Sequence, residues 1–268
     1  MNPGKPIALD IADLQHSLQL YVHGEQDQFV SRKIREHAVW EPYETSLVLR
    51  LLHPGDVFVD VGANIGYFSV LAASLVGSAG KVFAFEPDPD NFQLLCANAE
   101  LNGLDDAITA VQAGLSNATG AGQLYLSEDN LGDHQIYAGV ESRASLPIEL
   151  YNGSLYLEKR IQRVDLVKVD TQGSEFQVMA GLMPLLSQLR QPPRIMIELT
   201  PHALRAAGSS GRALIELLAS LGQPMWIIDH IEHRLAASSG EELAQWCDNW
   251  DTVAEARGFM NILVGSLE

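Results

Sequence analysis

The sequence predicts a doubly wound α/β fold: a seven-stranded, mostly parallel sheet with helices on both faces. Three observations carry that expectation. Seven near-continuous apolar runs are bounded by Gly, Pro or Asp, and segments with a helical period separate most of them. The first run, VDVGANIGYFS (59–69), ends in an acid followed by a glycine loop. Strands buried on both faces of a parallel sheet read as unbroken apolar runs, and their crossovers need helices.

Residues 1–50 read as an N-terminal extension that ends in a predicted helix over 44–52, covering the ligand side of the region 51–268. The first core strand is DVFVDVG (56–62). Phe68, Leu71, Ala72 and Leu75 then fall at i, i+3, i+4 and i+7, one face of a helix. KVFAFEP (81–87) is the second strand. Asp88 before Pro89 reads as an N-cap with proline at the first helical position, and Asn102-Gly103 as the stop. ITAVQAG (108–114) is the third strand. Residues 117–160 break the alternation, with a hairpin around GQLYLSED (122–129) and a long irregular stretch over 130–154. Such inserts in compact domains are commonly binding loops.

VDLVKVD (164–170) and RIMIELT (194–200) are the fourth and fifth strands. Phe176, Met179, Ala180 and Met183 mark the helix between them, and Leu214, Leu217, Leu218 and Leu221 the helix after. PMWIID (224–229) follows. Ser239 and Glu242 have capping-box spacing ahead of the next helix, and FMNILVG (259–265) closes the sheet.

Composition narrows the function. The net charge is −17 and hydrophobic residues make up 47% of the chain. A surface this acidic repels phosphate backbones, so a nucleic-acid partner is not expected. Cys96 and Cys247, the only cysteines, lie far apart, which fits a reducing compartment. No apolar run is long enough to span a bilayer and the N-terminal MNPGKPIALD has no apolar core, so a cytoplasmic location is expected. A homo-oligomer is compatible with the chain.

In a doubly wound sheet the ligand lies beyond the carboxyl ends of the strands. DVGANIG sits at such an end, with Gly62 allowing a tight turn and Gly66 a close start of the helix. Its free N–H groups are expected to face the ligand. The G-x-G-x-x-G pattern of a dinucleotide site is absent, and Asp60 stands where a pyrophosphate would be repelled. A carboxylate there suits a positive group, either an ammonium or a sulfonium. Glu86, ending the second strand, is placed to accept both hydroxyls of a ribose. Ribose plus a cationic amino-acid tail describes S-adenosylmethionine better than NAD.

Four blocks in order, VFVDVGANIGYFSVLAA, FAFEPDPDNFQLLCANAELNG, VDLVKVDTQGSEFQVMAGL and IMIELTP, resemble the FkbM family of S-adenosylmethionine-dependent methyltransferases, over roughly Trp40 to Val264. The resemblance implies a Rossmann-like methyltransferase sheet with a reversed last strand, and methyl transfer to a hydroxyl of a small molecule or saccharide. It implies that Asp60, Gly62, Ala63, Asn64, Gly66 and Tyr67 line the methionine side of the cofactor. Glu86 and Pro87 would hold the ribose, Ala113, Gly114 and Leu115 lie near the adenine, and Asp170 stand beside the reactive methyl. Where the family often has E-G-x-E after that aspartate, this chain reads DTQGSE, with Gln172 at the first acid's place. No metal is therefore expected.

Two histidines are candidates for the base that takes the hydroxyl proton. His134, in the irregular segment, is the better placed and His202, after the fifth strand, the runner-up; each also reads as a surface histidine. Asp170 also has a structural reading, as a cap for loop amides. His230 and His233 read as turn and strand surface. The rival class is a protein that binds the cofactor without turnover.

Overall fold

The structure is a computed structural model that describes residues 4–138, 143–251 and 258–267. A short ribbon of β1 (Ile7–Ala8) and β2 (Gln19–Leu20) leads to α1 (Val30–His37) and α2 (Pro42–Leu51). Then come β3 (Val57–Val61), α3 (Tyr67–Val76), β4 (Lys81–Phe85), α4 (Pro89–Leu101) and β5 (Ile108–Val111). A small sheet follows, of β6 (Gly114–Ser116), β7 (Gly120–Tyr125) and β8 (Ser145–Asn152), and then the short α5 (Gly153–Leu157). The main fold resumes with β9 (Leu166–Val169), α6 (Glu175–Leu186), β10 (Arg194–Leu199), α7 (Pro201–Ala206) and α8 (Gly211–Ala219). It ends with β11 (Met225–Asp229), β12 (Arg234–Ser238), α9 (Gly240–Asp251) and β13 (Met260–Val264).

The main sheet has the order β12-β11-β13-β10-β9-β3-β4-β5. β13 runs antiparallel to both of its neighbours, while β3, β4, β5, β9 and β10 pair in parallel. The reversed last strand is present. An eighth strand, β12, is added at the edge through a hairpin with β11. Its sequence RLAAS has little apolar content and sits half exposed, so no buried run announces it. Every residue of β3 and β9 is buried, including Asp60 and Lys168, the one charged residue in each otherwise apolar run. One core lies between the sheet and α2, α3 and α4, through Leu47, Leu71 and Leu95. A second lies under α6, α8 and α9, through Met179, Leu218 and Leu243.

The caps form as their spacing demands. Asp88 accepts from the Asp90 and Asn91 amides, and Ser239 and Glu242 exchange reciprocal bonds of 3.2 and 2.8 Å. The stretch 130–154 is less irregular than its sequence reads. Residues 145–152 form β8, pairing antiparallel with β7 and parallel with β6. Both partners lie far off in the chain, so local turn chemistry gives no hint of the strand.

The N-terminal extension is pinned by one face of α4. Asn98, fully buried, donates to the Tyr21 and Ile65 carbonyls and accepts from the Tyr21 amide. Asn102 does the same for Gln19, and the Asn91 carbonyl oxygen meets the His23 ring at 2.7 Å. Positions 91, 98 and 102 share a helix face, so α4 itself sets the register of the extension. Among the described residues no helix is long and apolar enough to cross a membrane.

Candidate active site

The carboxyl ends of β3, β9 and β10 open into a cleft of about 690 Å³, walled on its far side by residues 29–44. Asp60 is buried at the end of β3 and accepts the Ser69 hydroxyl at 2.6 Å through Oδ2. Its Oδ1 has no hydrogen-bond partner. An orphaned carboxylate oxygen in a cleft is costly to keep unless a ligand completes it. Burial raises the Asp60 pKa and Lys168 pulls it back.

The glycine loop is a cradle shaped by its backbone. Gly62 has φ +82°, and a Cβ there would lie 1.9 Å from the Asp170 carbonyl oxygen, so only glycine lets β3 and β9 approach this closely. The loop N–H groups are not free, contrary to expectation. Gly62 and Ala63 both donate to the Phe85 carbonyl, Asn64 to Glu86, Ile65 to the Asn64 side chain and Gly66 to the Ala63 carbonyl. The loop closes on itself because Asn64 takes a left-handed turn at φ 51°. What it presents to a ligand is close backbone approach and the acid Asp60.

A second cavity, of about 60 Å³, adjoins the first through Gly62 and Asn64. Glu86, Pro87, Gly114 and Leu115 line it. Ala113 is buried and lines neither cavity. Each Glu86 oxygen accepts one amide, from Asn64 and from Asp88, at 2.8 Å, and each keeps a lone pair for another donor. The insert closes this side: the Leu131 carbonyl accepts from the Asn64 and Asn91 side chains.

Burial pushes the Glu86 pKa up to about 8, against its two amide bonds. Burial also raises Asp60, Glu175 and Glu198. In the unfolded chain Glu86 titrates near the ordinary carboxylate value, so between pH 5 and 8 the folded state binds more protons. Stability therefore falls as pH rises through that window. The melting temperature of the ligand-free protein should decline from pH 5.5 to 8.5 and the decline should be shallower in Glu86→Gln. A midpoint that rises across this range in both proteins would contradict the assignment.

Lys168 was not singled out from the sequence. It interrupts the apolar LVKV of β9, is buried, and pairs in register with Asp60 on the neighbouring strand. Its Nζ donates to Asp170 Oδ2 at 3.1 Å and sits 4.7 Å from the Phe68 ring centre. Burial works against its charge, but Asp170, Glu41 and Asp60 outweigh it and raise its pKa. A lysine inside a strand read as buried on both faces is the signal that could have found it, because such a charge needs partners.

Asp170 Oδ1 accepts the Gln172 side-chain amide at 2.7 Å, and the same amide reaches Glu198 at 3.2 Å. The neutral Gln172 thus bridges two carboxylates. Among the described residues no cluster of three metal-ligating side chains occurs. Glu44 accepts from Asn261 at 2.9 Å, and Tyr67 meets the Thr45 hydroxyl at 3.1 Å, tying α2 to β13 and α3.

The two candidate base histidines are not in the larger cleft. His134 lines the smaller cavity, its Nδ1 accepting the Ser127 amide and its Nε2 3.9 Å from Asp88. Burial lowers its pKa. His202 is exposed on α7 and lines neither cavity. His230, in contrast, lines the larger cleft and stacks on Phe259, while His233 stacks on Tyr43. The cleft wall also includes Trp40 and Phe29.

Fold and site together define an S-adenosylmethionine-dependent methyltransferase of the α/β class. Residues 60–225 match the methyltransferase FkbM domain, and the chain belongs to that family. It is 27% identical over 192 residues to the hexuronic acid methyltransferase AglP of Haloferax volcanii, covering 68% of this chain and 75% of that one. It is 30% identical over 161 residues to the 31-O-demethyl-FK506 methyltransferase FkbM of Streptomyces tacrolimicus, covering 49% and 61%. A tRNA (guanine(37)-N(1))-methyltransferase of Danio rerio is 33% identical over 125 residues, covering 40% and 25%. The orphaned Asp60 oxygen and the glycine cradle fit the cofactor's cationic end, and the spare Glu86 lone pairs fit its ribose.

Proposed function

We propose that the protein transfers methyl to a hydroxyl oxygen of an unphosphorylated small molecule, most simply a saccharide. The composition of the larger cleft carries this reading. Five carboxylates, Glu41, Glu44, Asp60, Asp170 and Glu198, face only two lysines, between aromatic rings of Trp40, Tyr43 and Phe68. Rings and carboxylates together suit a polyhydroxylated acceptor, while the excess of acids opposes phosphorylated ones. The relative named for 31-O-demethyl-FK506 supports an oxygen acceptor on a small molecule, and the relative named for a hexuronic acid supports a sugar. The tRNA-modifying relative does not carry over, because a net charge of −17 repels a phosphate backbone.

When bound, the cofactor supplies an activated methyl group. The chain's own task is alignment, which is where most of the barrier lowering arises in such transfers. Asp60 holds the cationic end, Glu86 the ribose hydroxyls, and Leu115 packs beneath the base. Residues 131–136 must draw back to admit a nucleoside, since the cavity beside them holds only about 60 Å³. Asp170, fixed by Lys168 and Gln172, orients the acceptor hydroxyl. His134 stands on the nucleoside side and helps close it.

The test is incubation with methyl-deuterated cofactor and fractionated polar small molecules and saccharides, followed by tandem mass spectrometry. Label on an ether oxygen is expected. Label on nitrogen or on RNA, or in no fraction, would sink the reading.

A further inference from the structure

Glu41 is not among the residues assigned above to the cofactor, and its surroundings set it apart from the other acids in the cleft. It stands one residue before α2, with φ 42° and ψ 70°, a left-handed conformation that glycine adopts at less cost. Its carbonyl accepts the Thr45 amide at 2.8 Å, yet its side chain does not cap the helix. Among the described residues the carboxylate has no hydrogen-bond partner, and it faces the cleft beside Lys168, Asp170 and Glu198. A strained non-glycine backbone at a ligand site persists where the side chain's position is used.

Its neighbours are engaged elsewhere. Asp170 is held by Lys168 and Gln172, Glu198 by Gln172 and Thr200, and Glu44 by Asn261. Asp60 is bound to Ser69 and faces the cationic end of the cofactor.

Resting on the O-methylation reading above, we propose that Glu41 is the catalytic base that takes the acceptor's hydroxyl proton. As the acceptor oxygen bonds to the methyl carbon, the carbon–sulfur bond breaks and its electron pair stays on sulfur. The hydroxyl proton passes to a Glu41 oxygen and then to water at the cleft mouth. The products are a methyl ether, the neutral thioether and one proton. Burial pushes the Glu41 pKa up to about 8, Lys168 and Lys33 opposing and Asp170 and Glu44 reinforcing. A base is most effective with its pKa near the working pH. His37 of α1, Glu198 of β10, Asp60 of β3 and His230 after β11 also face the cleft. The active form is deprotonated, so the rate should rise with pH through about 8.

The experiment compares Glu41→Gln, Glu41→Gly and the parent, using the fraction labelled by the parent as acceptor. Glu41→Gln should bind S-adenosylhomocysteine within about threefold of the parent by calorimetry. It should also lose about 100-fold or more in single-turnover rate and lose the rise toward pH 8. Glu41→Gly should melt at or above the parent temperature, because glycine relieves the left-handed backbone. It should be as slow as Glu41→Gln, and added formate should restore part of its rate. Parental rate and pH profile in Glu41→Gln would remove Glu41 from the proton path and leave methyl transfer standing. Loss of S-adenosylhomocysteine affinity without formate rescue would make the residue structural. A parent that labels no fraction overturns both readings.

Discussion

Gly62→Ala is expected to disable both folding and cofactor binding. The added methyl would stand 1.9 Å from the Asp170 carbonyl oxygen, and that neighbour is backbone, so no side chain can swing aside. The residue also has φ +82°, which an alanine adopts only under strain. Strain and overpacking together should cost about 3–5 kcal/mol, enough to lower the melting temperature by roughly 6–20 degrees. S-adenosylhomocysteine affinity should fall at least tenfold by calorimetry, since the clash separates β3 from the end that carries Asp170. Gly103→Ala is the control. It has φ +64° and nothing within 4 Å of a Cβ, so it should lose only about 1 kcal/mol and bind the ligand normally. Equal losses in the two variants would mean that close approach at Gly62 is not what holds the site.

Lys168→Met should be nearly as severe, for an electrostatic reason. The methionine fills similar volume but leaves Asp170, Glu41 and Asp60 without the cation they share. Removing one partner of a buried ion pair leaves an uncompensated charge and costs about 3–5 kcal/mol. The loss should be largest near pH 8 and smaller near pH 5.5, where the raised carboxylates take up protons instead. Urea unfolding at the two pH values measures this directly. A loss below about 1 kcal/mol at both would show that the acids are neutral with or without the lysine.

Much of the fold was readable residue by residue. The apolar runs, the Asp88 and Ser239 caps and the glycine stop after α4 each act within a few residues, and each formed as read. β12 and β8 were missed because their apolar content is low or alternating and their partners lie elsewhere. The placement of His134 depends on how the insert folds back onto Asn64 and Asn91, a contact no spacing predicts.

The local chemistry of the glycine loop was set by sequence alone: an acid at a strand end, a glycine where only glycine fits, and a second acid one strand later. Periodicity and capping likewise determined which segments became strands and helices. Tertiary structure decided which charged groups face one another. Asp60 and Lys168 are neighbours because β3 pairs with β9 in one register, and Met196 continues that row onto β10. Two residues further along, Asp170 and Glu198 fall on the same face, and the antiparallel β13 brings Asn261 opposite Glu198. A shift of one residue in either pairing would turn those side chains to the opposite face of the sheet. Register is fixed by the burial of whole strands against two cores, a property of the assembled sheet. Glu41 joins the cluster because α2 is tied to α3 and β13 through Thr45–Tyr67 and Asn261–Glu44, hydrogen bonds between segments remote in the chain.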